Sequence, residues 1–148
     1  MKVREIINLK GGTLFTSTPQ QLLAAAIDTM ADLDVGSLVV MDSGKMAGML
    51  TFREVLKALK THNACPVGVT VGEVMVSDPV IAEPQMEVNE LRQLMLESHS
   101  RYMPVVEAGT LLGVISLHDV AKAVFEEQNF ENKMLKNFIK NWPEEKEA

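Results

Sequence analysis

The order of hydrophobic and polar residues along the chain predicts alternating strands and helices. Two short β-prone runs, TLFTS and PVIAE, each lead to a proline that suits the start of a helix, Pro19 and Pro84. The segments that follow, QLLAAAIDTMADL and EVNELRQLML, carry apolar residues at helical spacing. We therefore predict two amphipathic helices, each preceded by a strand.

Each of these helices is followed by a pair of apolar runs that predicts a β-hairpin. The runs SLVVMDSGKMAGMLT and MPVVEAGTLLGVIS contain the turn sequences DSG (42–44) and EAG (107–109). Another helix follows each hairpin. The order β-α-β-β-α thus occurs twice, which is typical of an α/β sandwich.

The two halves of the chain form an internal repeat. GMLTFREV (48–55) and GVISLHDV (113–120) lie 65 residues apart, and the same offset pairs Pro19 with Pro84. Upstream the offset becomes 68, so the first unit carries three extra residues around KGG (10–12). Duplication of one unit explains this pattern. We assign residues 1–62 to the first repeat, 63–70 to a linker and 71–127 to the second repeat.

The C-terminal segment, residues 128–148, predicts a separate helix. Apolar residues recur at helical spacing through NFENKMLKNFIKNW, before the charged end PEEKEA. We expect this amphipathic helix to pack on the domain or across a dimer. A dedicated partner-binding helix is the alternative.

Composition narrows the class of protein. The 148 residues are 47% hydrophobic and 23% charged, which is ordinary for one globular domain. A net charge of -6 argues against a general nucleic-acid binder. The lone Cys65 cannot form an internal disulfide, and no spacing suggests a zinc site or other metal centre. With no apolar run of about 18 residues, we expect a soluble, cytoplasmic protein without membrane attachment.

Both repeats place a hydroxyl, a basic residue and an acid where a strand runs into a helix. The two sets are Thr51, Arg53 and Glu54, and Ser116, His118 and Asp119. One interpretation is a capping box, in which hydroxyl and acid close the helix start. The other is a ligand site, because helix N-termini attract anions and a carboxylate can accept hydrogen bonds from ribose hydroxyls. A catalytic triad is disfavoured, since neighbouring residues at one junction point in different directions.

The repeat resembles the CBS domain, and the tandem pair resembles a stand-alone Bateman module. Three features carry the resemblance: the MPVV strand with its acidic turn and Gly109, the G-h-h-[TS]-x-x-D pattern at 113–119, and the duplication itself. The resemblance covers Val3 to about Glu127. It implies an α/β (α+β sandwich) fold of two β-α-β-β-α repeats with pseudo-two-fold symmetry, plus the C-terminal helix.

The resemblance also implies two clefts, each facing elements of both repeats. Site one would contain Thr51, Arg53, Glu54, Ser77, Val80, Ser100, Arg101, Tyr102 and Pro104. Site two would contain Lys10, Thr13, Phe15, Gly36, Ser37, Ser116, His118 and Asp119. Since Asp119 matches the family pattern and Glu54 departs from it, we expect site two to be occupied first.

Members of this family commonly bind AMP, ADP or ATP, and sometimes NAD or S-adenosylmethionine. The resemblance therefore implies a non-enzymatic regulatory module with an adenosyl ligand and no catalytic cofactor, acting in signal transduction or energy sensing through a homodimer. The effector protein cannot be named from the sequence. The main alternative is a structural module that dimerises and docks a partner, with weak or absent ligand binding. An enzyme acting on nucleotides is disfavoured because the sequence lacks a GxxxxGK[ST] loop and a cluster of metal ligands.

Overall fold

Helices and strands alternate along the chain in nearly the predicted order. The computed structural model describes residues 1–64 and 67–141; Cys65, Trp142 and the charged end PEEKEA lie outside the described residues. The elements are α1 (Val3–Lys10), β1 (Thr16–Ser17), α2 (Leu23–Leu33), β2 (Ser37–Asp42), β3 (Lys45–Thr51), α3 (Phe52–His62), α4 (Val71–Val74), α5 (Val88–Glu97), β4 (Tyr102–Glu107), β5 (Thr110–Ser116) and α6 (Leu117–Lys140). The mixed α/β class is confirmed.

The two predicted hairpins are present and have the same construction. In the turn between β2 and β3, Ser43 and Gly44 have φ angles of 51° and 79°; between β4 and β5, Ala108 and Gly109 have 48° and 80°. Positive φ at both central residues defines a type I′ turn, whose twist suits a tight hairpin. The register also shifts at equivalent points, after Val40 and after Val105. The repeat is therefore conserved in backbone detail between the two units.

The strand predicted for PVIAE is wrong, and the reason is one proline. In the first unit, β1 pairs in parallel with β2, and the Val39 N–H donates to the Phe15 carbonyl at 3.0 Å. In the second unit, the residue equivalent to Val39 is Pro104, which has no N–H. Only a single bridge remains there, between Ala82 and Val105.

Each unit has its own core, and the leading helices are exchanged between them. Val3 and Ile6 of α1 are buried in the cluster that contains Met95 and Ile115, in the second unit. Val71 of α4 is buried with the apolar residues of α2, β2 and β3, in the first unit. The sequence boundaries placed α1 with the first repeat, whereas its buried residues pack with the second. Helices of eight and four residues cannot bury an apolar face by themselves, so they depend on this docking.

The predicted C-terminal helix is present, but it is not a separate element, because α6 continues without a break for 24 residues from the second junction. No glycine or proline occurs between Gly113 and Pro143 to end it. Residues 128–140 are all exposed, so this half of α6 does not pack on its own domain. Within the described ranges, neither α6 nor any other helix has the length and apolarity needed to cross a membrane.

Candidate functional site

The hydroxyl and acid of the first junction form a capping box at the start of α3. The Thr51 N–H and Thr51 Oγ1 both donate to Glu54 Oε1, at 2.9 and 2.8 Å. The Arg53 N–H in turn donates to Thr51 Oγ1 at 3.3 Å. Glu54 is 7% exposed, although it is charged. Its burial is tolerated because these bonds replace water around one of its oxygens.

The second junction repeats this arrangement at the start of α6. The Ser116 N–H donates to Asp119 Oδ2 at 2.8 Å, and the Asp119 N–H donates to Ser116 Oγ at 3.0 Å. His118 is exposed and makes no hydrogen bond to Ser116 among the described residues. The cluster therefore lacks the hydroxyl-to-imidazole bond that a nucleophilic triad needs.

Residues of both units meet in a cleft of about 520 Å³ at site one. Seven of the nine predicted members line it: Thr51, Arg53, Glu54, Val80, Ser100, Arg101 and Tyr102. Ser77 and Pro104 are not among its lining residues; Ser77 is exposed, and Pro104 is buried within β4. The structure thus brings together the start of α3, the segment around Val80 and the loop before β4.

Several lining residues of site one were not predicted from the sequence. They are Met49, Phe52, Leu56, Lys57, Val76, Asp78, Pro79, Ser98 and His99. Helical spacing could have found Leu56 and Lys57, because they lie four positions after Phe52 and Arg53 on one face of α3. The repeat could have found Asp78, because it lies 68 residues after Lys10, a predicted member of site two.

Charges of both signs surround site one. The Arg53 guanidinium reaches across the cleft and donates to the His99 carbonyl, at a residue whose φ is 53°. Arg101 is exposed, and within the described residues its side chain forms neither a hydrogen bond nor an ion pair. One guanidinium therefore joins the two units, and the other is available to an anion.

Site two differs from site one because a lysine forms an ion pair with its acidic residue. Lys10 Nζ lies 2.7 Å from Asp119 Oδ2 and donates to the Val114 carbonyl at 2.7 Å. Burial alone would raise the pKa of Asp119, but the hydrogen bonds from Lys10 and Ser116 outweigh that effect and hold the pKa below its ordinary value. Asp119 is therefore stabilised as a carboxylate by contacts within the chain.

The remaining predicted members of site two lie along β1 and β2. Thr13 and Phe15 are exposed on the segment that leads into β1, while Gly36 and Ser37 are half-buried at the start of β2. Ser37 pairs directly with Thr51 of site one, and Tyr102 pairs with Ser116. The two sites therefore share their strands.

Gly36 marks the point where the two sites meet. A Cβ atom on this residue would lie 1.8 Å from Tyr102 Oη and 2.7 Å from a ring carbon of Phe52. Since van der Waals contact begins near 3.5 Å, any side chain at Gly36 would displace both rings. The Tyr102 ring thus lies against the backbone of site two while it lines site one.

The fold and these junctions define a class: a duplicated α/β module with a cleft between its two units. The family model for the CBS domain matches residues 13–61 and again residues 71–126. The chain belongs to the CBS-domain family. It is 35% identical over 107 residues to the CBS domain-containing protein YhcV of Bacillus subtilis, covering 72% of this chain and 75% of that protein.

Solved structures support the same fold. The CBS-domain protein ATU1752 from Agrobacterium tumefaciens is 29% identical, with a TM-score of 0.79 and coverage of 83% of this chain and 98% of that one. A structure of CBSX2 in complex with AMP has a TM-score of 0.71 and 22% identity, covering 84% of this chain and 97% of that one. At that identity, the likeness to CBSX2 shows the fold alone.

Proposed function

We propose that this protein is a non-catalytic regulatory module that binds an adenine nucleotide in site one. The observation that carries the proposal is the cleft of about 520 Å³, which both units line with cationic, hydroxyl and apolar groups. Its volume lies within the range of small-molecule pockets. The CBSX2 complex with AMP supports an adenosyl ligand for this family of folds.

The phosphate would lie at the start of α3. The helix dipole is positive at that end and favours an anion. Thr51 Oγ1 and the Arg53 N–H have partners within the capping box, and a phosphate would take the place of those partners. Arg101 adds a guanidinium without an ion pair in the described structure. Planar guanidinium groups suit phosphate, since they donate two parallel hydrogen bonds.

The ribose would be held by an acid that already caps the helix. Both bonds from Thr51 reach Oε1 of Glu54, so Oε2 accepts none of the recorded bonds. Every buried side-chain oxygen among the described residues has a hydrogen-bond partner. Since Oε2 of Glu54 accepts no hydrogen bond in this structure, it must be in contact with solvent. Since Glu54 lines the cleft, this oxygen can accept a hydrogen bond from a ribose hydroxyl. Val76, Val80 and Tyr102 supply apolar surface for the base.

Ligand binding would be transmitted through the geometry between the units. Arg53 of the first unit already bonds the His99 carbonyl of the second, and a phosphate would compete for that guanidinium. Replacing this bond would shift the two units relative to each other, and an effector protein bound to a homodimer would sense the change. A ligand can produce such a shift only by binding one arrangement more tightly than the other.

Thermal shift and calorimetry with AMP, ADP, ATP, NAD and S-adenosylmethionine test the proposal. A ligand at 100 times its Kd adds about 2.7 kcal/mol of stability, which is about 5–10 °C for a domain of this size. Arg101→Met should weaken binding at least about tenfold through loss of a charge-assisted bond. Lys45→Met, which removes an exposed cation outside the cleft, should not. No stabilisation by any of the five compounds would overturn the proposal.

A second candidate function, structural dimerisation and partner docking, is favoured by the exposed half of α6. Five large apolar side chains between residues 128 and 140 are each more than half exposed: Phe130, Met134, Leu135, Phe138 and Ile139. An apolar surface of this kind marks an interaction site. The two functions are compatible, because this surface lies outside site one.

A further inference from the structure

We propose that Lys10 is an internal counter-ion that keeps site two closed, so that each chain binds one nucleotide rather than two. The proposal rests on the proposed nucleotide function of the clefts and concerns its regulation. It reverses the order of occupancy that the sequence alone suggested, in which the aspartate of site two made that site the first to bind.

Lys10 occupies the acid that a nucleotide would need in site two. Its ammonium lies 2.7 Å from Asp119 Oδ2, which also accepts the Ser116 N–H. An ammonium at this position neutralises the carboxylate that would accept ribose hydroxyls, and it fills the space beside Oδ2 where a ligand hydroxyl would have to lie. Lys10 also donates to the Val114 carbonyl at 2.7 Å, which holds the ammonium in place.

The ion pair between Lys10 and Asp119 is partly shielded from solvent. The Asp119 side chain is 19% exposed and that of Lys10 is 37% exposed, so the contact is not a fully solvated surface ion pair. Water and salt screen such a pair less than one on open surface. A ligand entering site two must therefore displace an ammonium that both neutralises the acid and fills the space beside it.

The ion pair between Lys10 and Asp119 involves the part of the first repeat that carries extra residues. Lys10 is the first residue of the KGG excess in the first repeat, and it ends α1 where Gly11, at φ 80°, turns the chain. In site one the acid Glu54 receives hydrogen bonds from Thr51 alone. With the offset of 68 residues, the equivalent of Lys10 in the second repeat is Asp78, an acid that lines site one. Site one does contain a lysine, Lys57, but among the described residues it forms no ion pair with Glu54.

Isothermal titration calorimetry with AMP, and separately with ATP, tests the proposal through the number of sites. The wild-type chain should bind one nucleotide. Lys10→Met should bind two, because Asp119 becomes available while the apolar stem of the side chain is kept. Lys10→Arg keeps a cation and should still bind one. Lys45→Met, which removes an exposed lysine at the start of β3, is the matched control and should also bind one.

The outcomes separate this proposal from the one on which it rests. One site in Lys10→Met at unchanged affinity, or two sites in the wild type, would overturn the counter-ion role and leave nucleotide binding intact. Weaker binding in Lys10→Met would show that Lys10 contacts the ligand, which also overturns the role. Absence of binding by every variant would sink both proposals together. Circular dichroism of each variant establishes that it is folded before the titration.

Discussion

Thr51 and Ser116 each cap a helix and, in our proposal, also border a nucleotide site. Each hydroxyl residue forms a capping box with the acid three positions later, Glu54 or Asp119. Capping uses one oxygen of each carboxylate in this structure. The pattern in the sequence could not separate capping from ligand binding, because both need a hydroxyl and an acid at that spacing. The neighbouring charges distinguish the two sites: Lys10 forms an ion pair with Asp119, whereas no lysine among the described residues forms one with Glu54.

The lowered pKa of Asp119 predicts how stability depends on acid. Because the folded-state pKa lies below the ordinary value of about 3.9, the carboxylate stabilises the fold fully above that pH. This contribution is lost as the pH falls through the folded-state pKa. Asp119→Asn should therefore flatten the acid side of the stability profile, measured by urea unfolding between about pH 2 and pH 6. Lys10→Met should have a smaller effect, since the bonds from Ser116 remain. An Asp119→Asn profile that matches the wild type would contradict the assignment.

At the scale of elements, Pro104 decides how many strands the second unit has. The first unit forms β1 because the Val39 N–H reaches the Phe15 carbonyl, and Pro104 cannot donate the equivalent bond to Val80. The chain runs through the same place in both units, since Ala82 still bonds to residues on either side of Val105. A sequence profile of β-prone residues could not reveal this loss, because the missing partner lies on another strand.

Pro104→Val should restore the missing bond in the second unit. The new N–H is expected to donate to the Val80 carbonyl and to be protected against hydrogen exchange, measured by nuclear magnetic resonance. Overall stability should change little, because one hydrogen bond contributes about 0.5–1.5 kcal/mol and the loss of proline costs about 0.4–1 kcal/mol through the unfolded chain. Rapid exchange of the residue 104 amide in a folded variant would show that the segment near Val80 is held away for another reason.

The continuity of α6 also follows from local sequence, and it determines which residues of the chain are exposed. Gln128 and Asn129 interrupt the apolar pattern without breaking the helix, since neither is glycine or proline. The helix therefore leads straight out of the domain, and residues 128–140 cannot fold back onto it. A helical stretch of this length is marginal in water by itself. Phe130, Met134, Leu135 and Ile139 are each more than half exposed on this stretch, so a partner surface that covered them would stabilise it.

At the scale of the whole molecule, that surface predicts a homodimer. A groove of about 340 Å³ between α5 and α6, lined in part by Leu96, Val124 and Phe125, continues the apolar side of the exposed helix. A second copy offers both the groove and the helix, so a two-fold pair can cover them reciprocally. Size-exclusion chromatography with light scattering should find twice the chain mass of 16.3 kDa for the wild type.

Lysine substitutions on the two sides of the exposed helix test whether the dimer depends on the apolar side or only on the net charge of the helix. Leu135→Lys with Ile139→Lys should give a monomer, because two ammonium groups would be buried without partners. Asn129→Lys with Asn137→Lys adds the same charge on the side of the helix away from Leu135 and Ile139, and this variant should remain dimeric. A monomeric wild type at tens of micromolar, or an equal effect of both double variants, would contradict the prediction.

The exchange of leading helices joins the two units into one folded body. The buried residues of α1 belong to the second core and those of α4 to the first, so each unit is completed by the other half of the chain. The segments near these helices also border the sites: Lys10 reaches Asp119, and Val76 and Asp78 line site one. Both candidate sites therefore depend on the packing of the two repeats.

Much of this protein follows from its sequence alone. The 65-residue offset, the type I′ turn sequences and the apolar periodicity predict the duplication, the hairpins and the amphipathic helices, because these features depend on neighbours along the chain. Local pattern also indicated the two junctions, and family resemblance indicated seven of the residues that line site one. What the sequence left open was whether the acids cap a helix or hold a ligand, and what the C-terminal helix covers.

Only the tertiary structure decided where separate segments meet. It placed Lys10 beside Asp119 and Tyr102 against Gly36, and it exchanged α1 and α4 between the cores. It also showed that Pro104 removes a strand and that Arg53 spans the cleft to His99. Each of these contacts joins residues far apart in the chain, and their energies depend on burial and on partners that no local pattern specifies.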